Sequence, residues 1–272
     1  MRNLLVTDFK RILKDKLLLI VCIIGLAFAL STPLLYKVIF SSVDLEGMDD
    51  LLALYMSAKP MLFTSFSLTN NFGMILPIFI MIIVCKDFSQ GTIRNKIISG
   101  HSRTKVFLST FITCAVIMCT TILLYALIQF FVSLIFFEYS PTGFENGELG
   151  YLIKSLALDM LIYIFISALL AFLCVFMKNV GVSIVTYFGI IFLMLGFYTV
   201  LSVAIIFLVQ FNEQAANLCQ FLLDINIVYN VTIIGTVTYE KYQILKILIS
   251  TIIYISLFVF FGILTFNKKD LK

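Results

Sequence analysis

Six long runs of apolar residues follow one another along the chain, separated by shorter polar segments. An α-helix rises 1.5 Å per residue, so about 20 apolar residues cross the hydrocarbon core of a bilayer, and each run reaches that length. The runs are continuously apolar and do not alternate, which favours helices over a transmembrane barrel. The pattern predicts an all-α polytopic membrane protein with one transmembrane domain (1–272) and spans at about 17–40, 61–84, 106–137, 151–177, 180–209 and 246–266.

Two further segments carry helical patterns without the length of a span. Residues 1–16 place apolar side chains at helical intervals between five Lys and Arg residues, which predicts an amphipathic helix at the membrane interface. A signal peptide also begins with a charged head and an apolar run, but this apolar run continues to Phe40 and is interpreted as the first span. Residues 210–245 are apolar but interrupted by polar side chains, which predicts outer re-entrant or interfacial helices.

Composition agrees with a membrane location. The chain is 61% hydrophobic and 12% charged, with a mean hydropathy of +1.10, whereas soluble domains are about 25% charged. Fourteen of the 19 Lys and Arg residues lie in the N-terminal segment, in residues 85–105, at Lys178 and in the C-terminal tail. The positive-inside rule then predicts a multi-pass protein of the cell membrane with both termini in the cytoplasm.

Recognisable catalytic chemistry is missing from the sequence. The six cysteines have no paired spacing, His101 is the single histidine, and neither a phosphate-binding loop nor a dinucleotide-binding or zinc-protease motif occurs. We therefore expect a non-catalytic chain without a metal or cofactor of its own. The basic residues follow the membrane faces, so nucleic acid is not an expected partner. Uphill transport would then need an ion gradient or an energy-supplying partner.

Polar side chains inside the spans are candidates for a translocation path. Asp159 is the one carboxylate within a span, and we interpret it as hydrated near the interface or bonded to a neighbouring helix, with a functional role as the alternative. Hydroxyl groups in spans usually bond between helices, and adjacent amides are costly in lipid, so lining and internal bracing both remain open. The candidates in the second and fifth spans are Thr69, Asn70, Asn71, Ser183, Tyr187 and Tyr198.

Residues 85–105, CKDFSQGTIRNKIISGHSRTK, form the longest polar segment between two spans. We call them the polar island. Ser89 is expected to cap a short helix over 90–99, Gly100 to end it, and Ser102 to cap the third span. An ordinary positive-inside loop is the alternative interpretation. A basic amphipathic helix held between two spans indicates a docking surface on the cytoplasmic side.

The motifs of the polar island resemble those of a known family. Residues 87–94, DFSQGTIR, and residues 99–105, SGHSRTK, resemble the E-x-x-x-G-T-I/L-R/K and S-G-x-S-R signature of type-2 ABC exporter permeases. The six-span plan and the basic N-terminal segment agree with this resemblance. Asp87 stands where the family usually has Glu, which keeps the charge on a shorter side chain.

The resemblance implies a membrane subunit that works with separate ATP-binding-cassette ATPases, which would hold the ATP and Mg²⁺. It also implies a dimer, formed with a second copy or a paralogous permease, whose path is built largely from the second and fifth spans. The apolar, aromatic-rich spans favour an amphipathic cargo, such as a membrane-active peptide or a lipid-like molecule, moving among membrane lipids. A lipid or drug exporter and a non-transporting immunity or sensor protein are the alternatives. The positions that match the coupling motif are Asp87, Gly91, Thr92, Arg94 and Ser102.

Overall fold

The computed structural model describes residues 1–42, 57–69, 71–140, 143, 147–177, 179–234 and 241–269. All regular structure in these residues is helical, which confirms the predicted fold class. The helices are α1 (Arg2–Leu13), α2 (Lys16–Ser42), α3 (Ala58–Thr64), α4 (Asn71–Ser89), α5 (Thr92–Ile98), α6 (Arg103–Phe136), α7 (Glu148–Met177), α8 (Val180–Phe211), α9 (Glu213–Ile225), α10 (Ile227–Ile234) and α11 (Lys241–Lys268).

Six of these helices, α2, α4, α6, α7, α8 and α11, are long and apolar enough to cross a membrane. The protein is therefore a multi-pass membrane protein. Helix α7 lies at the centre of the bundle, because 67% of its most apolar window is buried and it packs against α4, α6, α8 and α11. Helix α8 lies at the periphery, with only 6% of the corresponding window buried.

The second span begins later than predicted. The pattern predicted one helix from about residue 61, but the chain forms the short helix α3, leaves helical geometry after Thr64 and starts α4 at Asn71. Hydroxyl groups lie within this break: Ser67 Oγ is 3.2 Å from the Thr69 hydroxyl and accepts from the Thr69 N–H at 3.4 Å. Such side chains compete with the helical hydrogen bonds of the backbone.

One end of the bundle collects the N-terminal helix, the polar island and the C-terminal turn of α11. Leu4, Ile93, Val106 and Phe266 form one buried apolar cluster there. We call this the basic end. The amphipathic helix α1 is confirmed as a helix, but its apolar face packs on protein, since Leu4 and Ile12 are each only 5% exposed.

The opposite end carries the bent pair of helices α9 and α10, whose axes differ by 84°. Asn226 forms the corner. Its side-chain oxygen accepts from the backbone N–H groups of Val228 at 2.9 Å and Tyr229 at 3.3 Å, and its amide donates to the carbonyl of Met194 in α8 at 2.8 Å. The bend within residues 210–245 is thus built by one capping residue, which also fastens it to α8.

Candidate coupling site at the basic end

The helix of the polar island, α5, is held between two glycines with left-handed backbone conformations. Gly91 has φ +69° and serves as the N-cap, so the expected cap by Ser89 is wrong: Ser89 is the last residue of α4. Gly100 has φ +91° and ends the helix as predicted. Its N–H donates to the carbonyl of Ile97 at 3.0 Å, and the N–H of His101 donates to the carbonyl of Lys96 at 3.3 Å. These two bonds form a Schellman motif.

The first ion pair at this end joins α1 to α5. Lys96 Nζ lies 2.6 Å from Asp8 Oδ1, and the hydroxyl of Ser109 in α6 donates to Asp8 Oδ2 at 2.7 Å. The side chains of Lys96 and Asp8 are 10% and 3% exposed. A carboxylate this buried needs both partners, because an unpaired buried charge costs several kcal/mol. Asp8 therefore ties three helices together.

The second ion pair joins α1 to the end of α4. Both terminal nitrogens of the Arg11 guanidinium donate to the two carboxylate oxygens of Asp87. This bidentate geometry fixes the orientation of both groups. Asp87 is 5% exposed, so the motif carboxylate faces the N-terminal helix rather than the surface of the molecule.

The third ion pair lies where α1 passes into α2. Lys86 Nζ is 3.3 Å from Asp15 Oδ2, and Asp15 Oδ1 accepts from the N–H of Leu17 at 3.1 Å. The Leu17 N–H lowers the pKa of the Asp15 carboxyl below its ordinary value, and Lys86 adds to this effect. The side chains of Lys86 and Asp15 are 41% and 19% exposed, more than those of the other two pairs, so this ion pair contributes little to stability.

Together the three ion pairs specify one register of α1 against the polar island. Asp8, Arg11 and Asp15 follow at spacings of three and four residues, which places them on one face of a helical path. Their signs alternate, and so do those of their partners Lys96, Asp87 and Lys86. A slide by one turn would bring like charges together, which disfavours other registers.

The outer face of α5 remains open. Ile93 is buried at 2% exposure, whereas Ile98 is 73% exposed, and Arg94 and Asn95 are exposed beside it. Arg94 and Ile98 are one helical turn apart, so they are side chains that a partner could contact on this face. Of the predicted coupling positions, Arg94 lies on this face, and Asp87 does not.

The two remaining motif positions lie at helix starts: Thr92 at that of α5 and Ser102 at that of α6. Thr92 is half-buried at the start of α5. Ser102 is the N-cap of α6, as predicted, but its side chain makes no capping hydrogen bond.

Arg103 and Lys269 are two further basic residues at this end that, like Arg11, Lys86 and Lys96, were not among the predicted site residues. Arg103 Nη1 donates to the carbonyls of Phe266, Asn267 and Lys269 at 3.2, 3.0 and 2.6 Å. Lys269 in turn donates to the carbonyl of Val175 at 2.6 Å. These cations satisfy carbonyls that the helix ends leave free, and they join α6, α7 and α11.

The predicted path residues near the break before α4 are partly brought together. Thr69 and Tyr187 line the same cavity of about 20 Å³, which is large enough for about one water molecule. Asn71 instead donates to the hydroxyl of Thr32 in α2 at 3.4 Å, which favours the bracing interpretation for this amide. Asn70 lies outside the described residues.

The other two path candidates on α8 lie apart from these. Ser183 is fully buried near the basic end, donates to the carbonyl of Asn179 at 2.8 Å and lies 3.9 Å from Cys85 Sγ. The ring of Tyr198 packs on Tyr229 with centroids 5.8 Å apart, toward the opposite end. Within one chain the six candidates therefore form no continuous lining among the described residues.

Asp159 differs from its expected setting. It is 2% exposed, and in the described part of the chain its Oδ2 has no hydrogen-bond partner. Of the two expected settings, hydration is wrong, because Asp159 is buried in the central helix α7. A bond from Oδ2 to a neighbouring helix is also absent among the described residues.

Comparison with known proteins gives one match. A family model described as a protein of unknown function (DUF2705) matches residues 18–272. No curated protein matches the chain. The matched residues include the polar island, whereas α1 precedes them.

Proposed function

We propose that this chain, which belongs to the DUF2705 family, is the membrane subunit of an ATP-driven exporter whose ATPase is a separate chain. The basic end faces the cytoplasm, the outer face of α5 docks on the ATPase, and the cargo is an amphipathic molecule such as a membrane-active peptide. ATP and Mg²⁺ are bound by the partner, and this chain supplies the path and the coupling contact.

The proposal rests on the way in which α5 is attached to the rest of the protein. Its ends are joined to two spans, its inner side is pinned to α1 through Lys96 and Asp8, and its outer side exposes Arg94 and Ile98. A force applied to that exposed side acts on α4 and α6 through short connections. Asp87 strengthens the connection to α4, because its bidentate pair with Arg11 prevents the end of that span from moving independently of α1.

Helix α8 supports the proposal of a dimer. It is the span with the smallest buried share, and a Cβ added at either Gly189 or Gly196 would meet no atom within 4 Å. Glycines seven residues apart on an open apolar helix allow close approach of another helix. In a homodimer, or a heterodimer with a paralogous permease, α8 would meet its counterpart, and the cavity beside Tyr187 would open into the space between subunits.

Reconstitution with a co-purifying ATPase tests the function. The protein is purified from its native membrane under mild conditions, the associated ATPase is identified, and both are placed in vesicles with a membrane-active peptide. ATP-dependent peptide movement is expected. A chain that binds the peptide without nucleotide dependence, and that retains no ATPase, would instead be a sensor or immunity protein, and the exporter proposal would be lost.

A charge reversal tests the coupling contact. Asp87→Arg places two cations together at the α1–α4 pair, so we expect at least a tenfold loss of transport per ATP hydrolysed. Adding Arg11→Asp restores an opposite-charge pair and should recover much of the coupling. Lys105→Glu, an exposed charge reversal in the same polar island, is the control. Full transport by the Asp87→Arg single variant would contradict the coupling role.

A further inference from the structure

A large cavity lies between α9 and α11, far from the basic end. Its volume is about 690 Å³, which is within the range of ligand-binding pockets. The N-terminal half of α11 forms one wall and α9 the other. Because Phe266 at the far end of α11 belongs to the basic end, this cavity opens near the opposite face of the bundle.

Polar groups are concentrated at one end of the cavity. Lys246 forms an ion pair with Asp224, and Gln220 Nε2 donates to the other oxygen of Asp224 at 3.1 Å. The Asp224 side chain is 9% exposed and the Lys246 side chain 29% exposed, so the cation is the more open member of the pair. An ammonium group has three N–H donors, and this exposed cation can donate to an added anion while it keeps its bond to Asp224.

The rest of the cavity is mainly apolar, with Ser250 and Tyr254 also on its wall, and is open to the side. Phe221 on α9 and Ile249 and Ile253 on α11 line it, and they are 61%, 51% and 52% exposed. Tyr254 lies eight residues beyond Lys246, which corresponds to roughly 12 Å along the helix axis. The cavity is therefore a groove that runs from a cation near the membrane face toward the bilayer interior and is open to lipid along its length.

We propose that this groove is a binding site for a membrane phospholipid, with its phosphate on Lys246 and one acyl chain along Phe221, Ile249 and Ile253. The exposure of the two charged groups selects this occupant. Asp224 is 9% exposed and is covered by Lys246 and Gln220, so a cationic ligand cannot reach it readily, whereas Lys246 is 29% exposed and has N–H donors left for a phosphate. The inference does not depend on the exporter function.

Fluorescence quenching tests the site, because the chain contains no tryptophan. Phe221→Trp places a single tryptophan in the groove, and Phe260→Trp places one on an exposed part of α11 that does not line it. Brominated phosphatidylglycerol is titrated into the protein in detergent. Saturable quenching is expected for Phe221→Trp and a shallow, non-saturating decline for Phe260→Trp. Equal, non-saturating curves would overturn the proposal.

The phosphate contact is tested in the Phe221→Trp background. Lys246→Gln should raise the half-saturating lipid concentration at least tenfold, which corresponds to a loss of at least about 1.4 kcal/mol, because the charge-assisted contact with the phosphate is lost. Lys154 is an exposed lysine near the start of α7 and outside the groove, so Lys154→Gln should leave the half-saturating lipid concentration unchanged. Brominated diacylglycerol, which lacks the phosphate, should bind weakly to the unchanged Lys246.

Two results would assign the groove to another occupant. Equal affinity for the two lipids, or no effect of Lys246→Gln, would show that the lipid phosphate does not bind Lys246. Quenching that decreases as protein concentration rises at a constant lipid-to-protein ratio would indicate that a second copy of the chain covers the groove. Either result contradicts phospholipid binding as stated and is independent of whether the chain couples to an ATPase.

Discussion

Removal of the Lys96 charge should release α1 from the basic end. In Lys96→Met the apolar stem is kept and the ammonium is lost, so Asp8 remains 2% exposed with Ser109 as its one remaining partner among the described contacts. Breaking a buried pair in this way costs about 3–5 kcal/mol. The hydroxyl of Ser109 retains part of the stabilisation, so we expect about 3 kcal/mol, at the lower end of that range.

This loss should favour local opening of α1 more than global unfolding, because the six spans are held together by their own packing in the bundle. Each 1.4 kcal/mol changes an equilibrium tenfold, so a loss of about 3 kcal/mol should speed amide hydrogen exchange in residues 3–12 on the order of 100-fold. Exchange measured by mass spectrometry on the detergent-purified protein gives this ratio directly. Peptides from α7 should show no change.

Two variants make the measurement decisive. Lys105→Met removes an exposed charge from the same polar island and should change stability by less than about 0.5 kcal/mol. Asp8→Leu combined with Lys96→Met removes both charges and should restore most of the protection, since apolar pairs often replace buried ion pairs without loss. Equal exchange in Lys96→Met and Lys105→Met, or no recovery in the double variant, would refute a buried, energetically coupled pair.

Three further changes probe single features of the structure. Gly100→Ala should destabilise α5 by about 1–2 kcal/mol, because φ is +91° at this position. Gly150→Ala, at a glycine in helical geometry, should be neutral or stabilising. Amide hydrogen exchange in each helix measures the two effects. The contribution of Asp15 to the free energy of unfolding, measured as the difference from Asp15→Asn, should be constant above about pH 5 and decline below about pH 4, because the pKa of Asp15 is lowered in the folded state. A difference in unfolding free energy that stays constant down to about pH 3 would contradict this. Asp159→Leu should raise the thermal midpoint, since it removes a buried oxygen without a described partner, and a loss of transport at raised stability would indicate a functional carboxylate.

The spans could be predicted because their signal is local. A run of about 20 apolar residues has one stable solution in lipid, whatever the rest of the chain does. The break before α4 was missed for the same reason: apolar residues continue on both sides of Ser65 and Ser67, so hydropathy predicts one helix. Hydropathy does not detect local contacts such as the hydrogen bond from the Thr69 N–H to Ser67 Oγ within the break.

The ion pairs could not be predicted from local pattern, because their members are far apart in sequence. Arg11 and Asp87 are 76 residues apart, and Lys96 and Asp8 are 88 apart. One signal was nevertheless present. Asp8 lies on the helical stripe of Leu4 and Ile12, and a carboxylate on a buried stripe requires a cation or several donors.

The two glycines that flank α5 explain why α5 depends on its contacts with α1 to resist rotation. Gly91 and Gly100 flank α5, and both adopt φ values that other residues disfavour. Connections of this kind position a short helix but resist its rotation weakly, because few side chains pack around them; a Cβ at either glycine would meet no atom within 4 Å. The resistance must come from contacts of α5 itself: Ile93 packs in the buried cluster that contains Leu4 of α1, and Lys96 pairs with Asp8 of α1. Coupling by α5 therefore requires α1, and a chain shortened to begin after α1 should keep its spans but lose transport before it loses its fold.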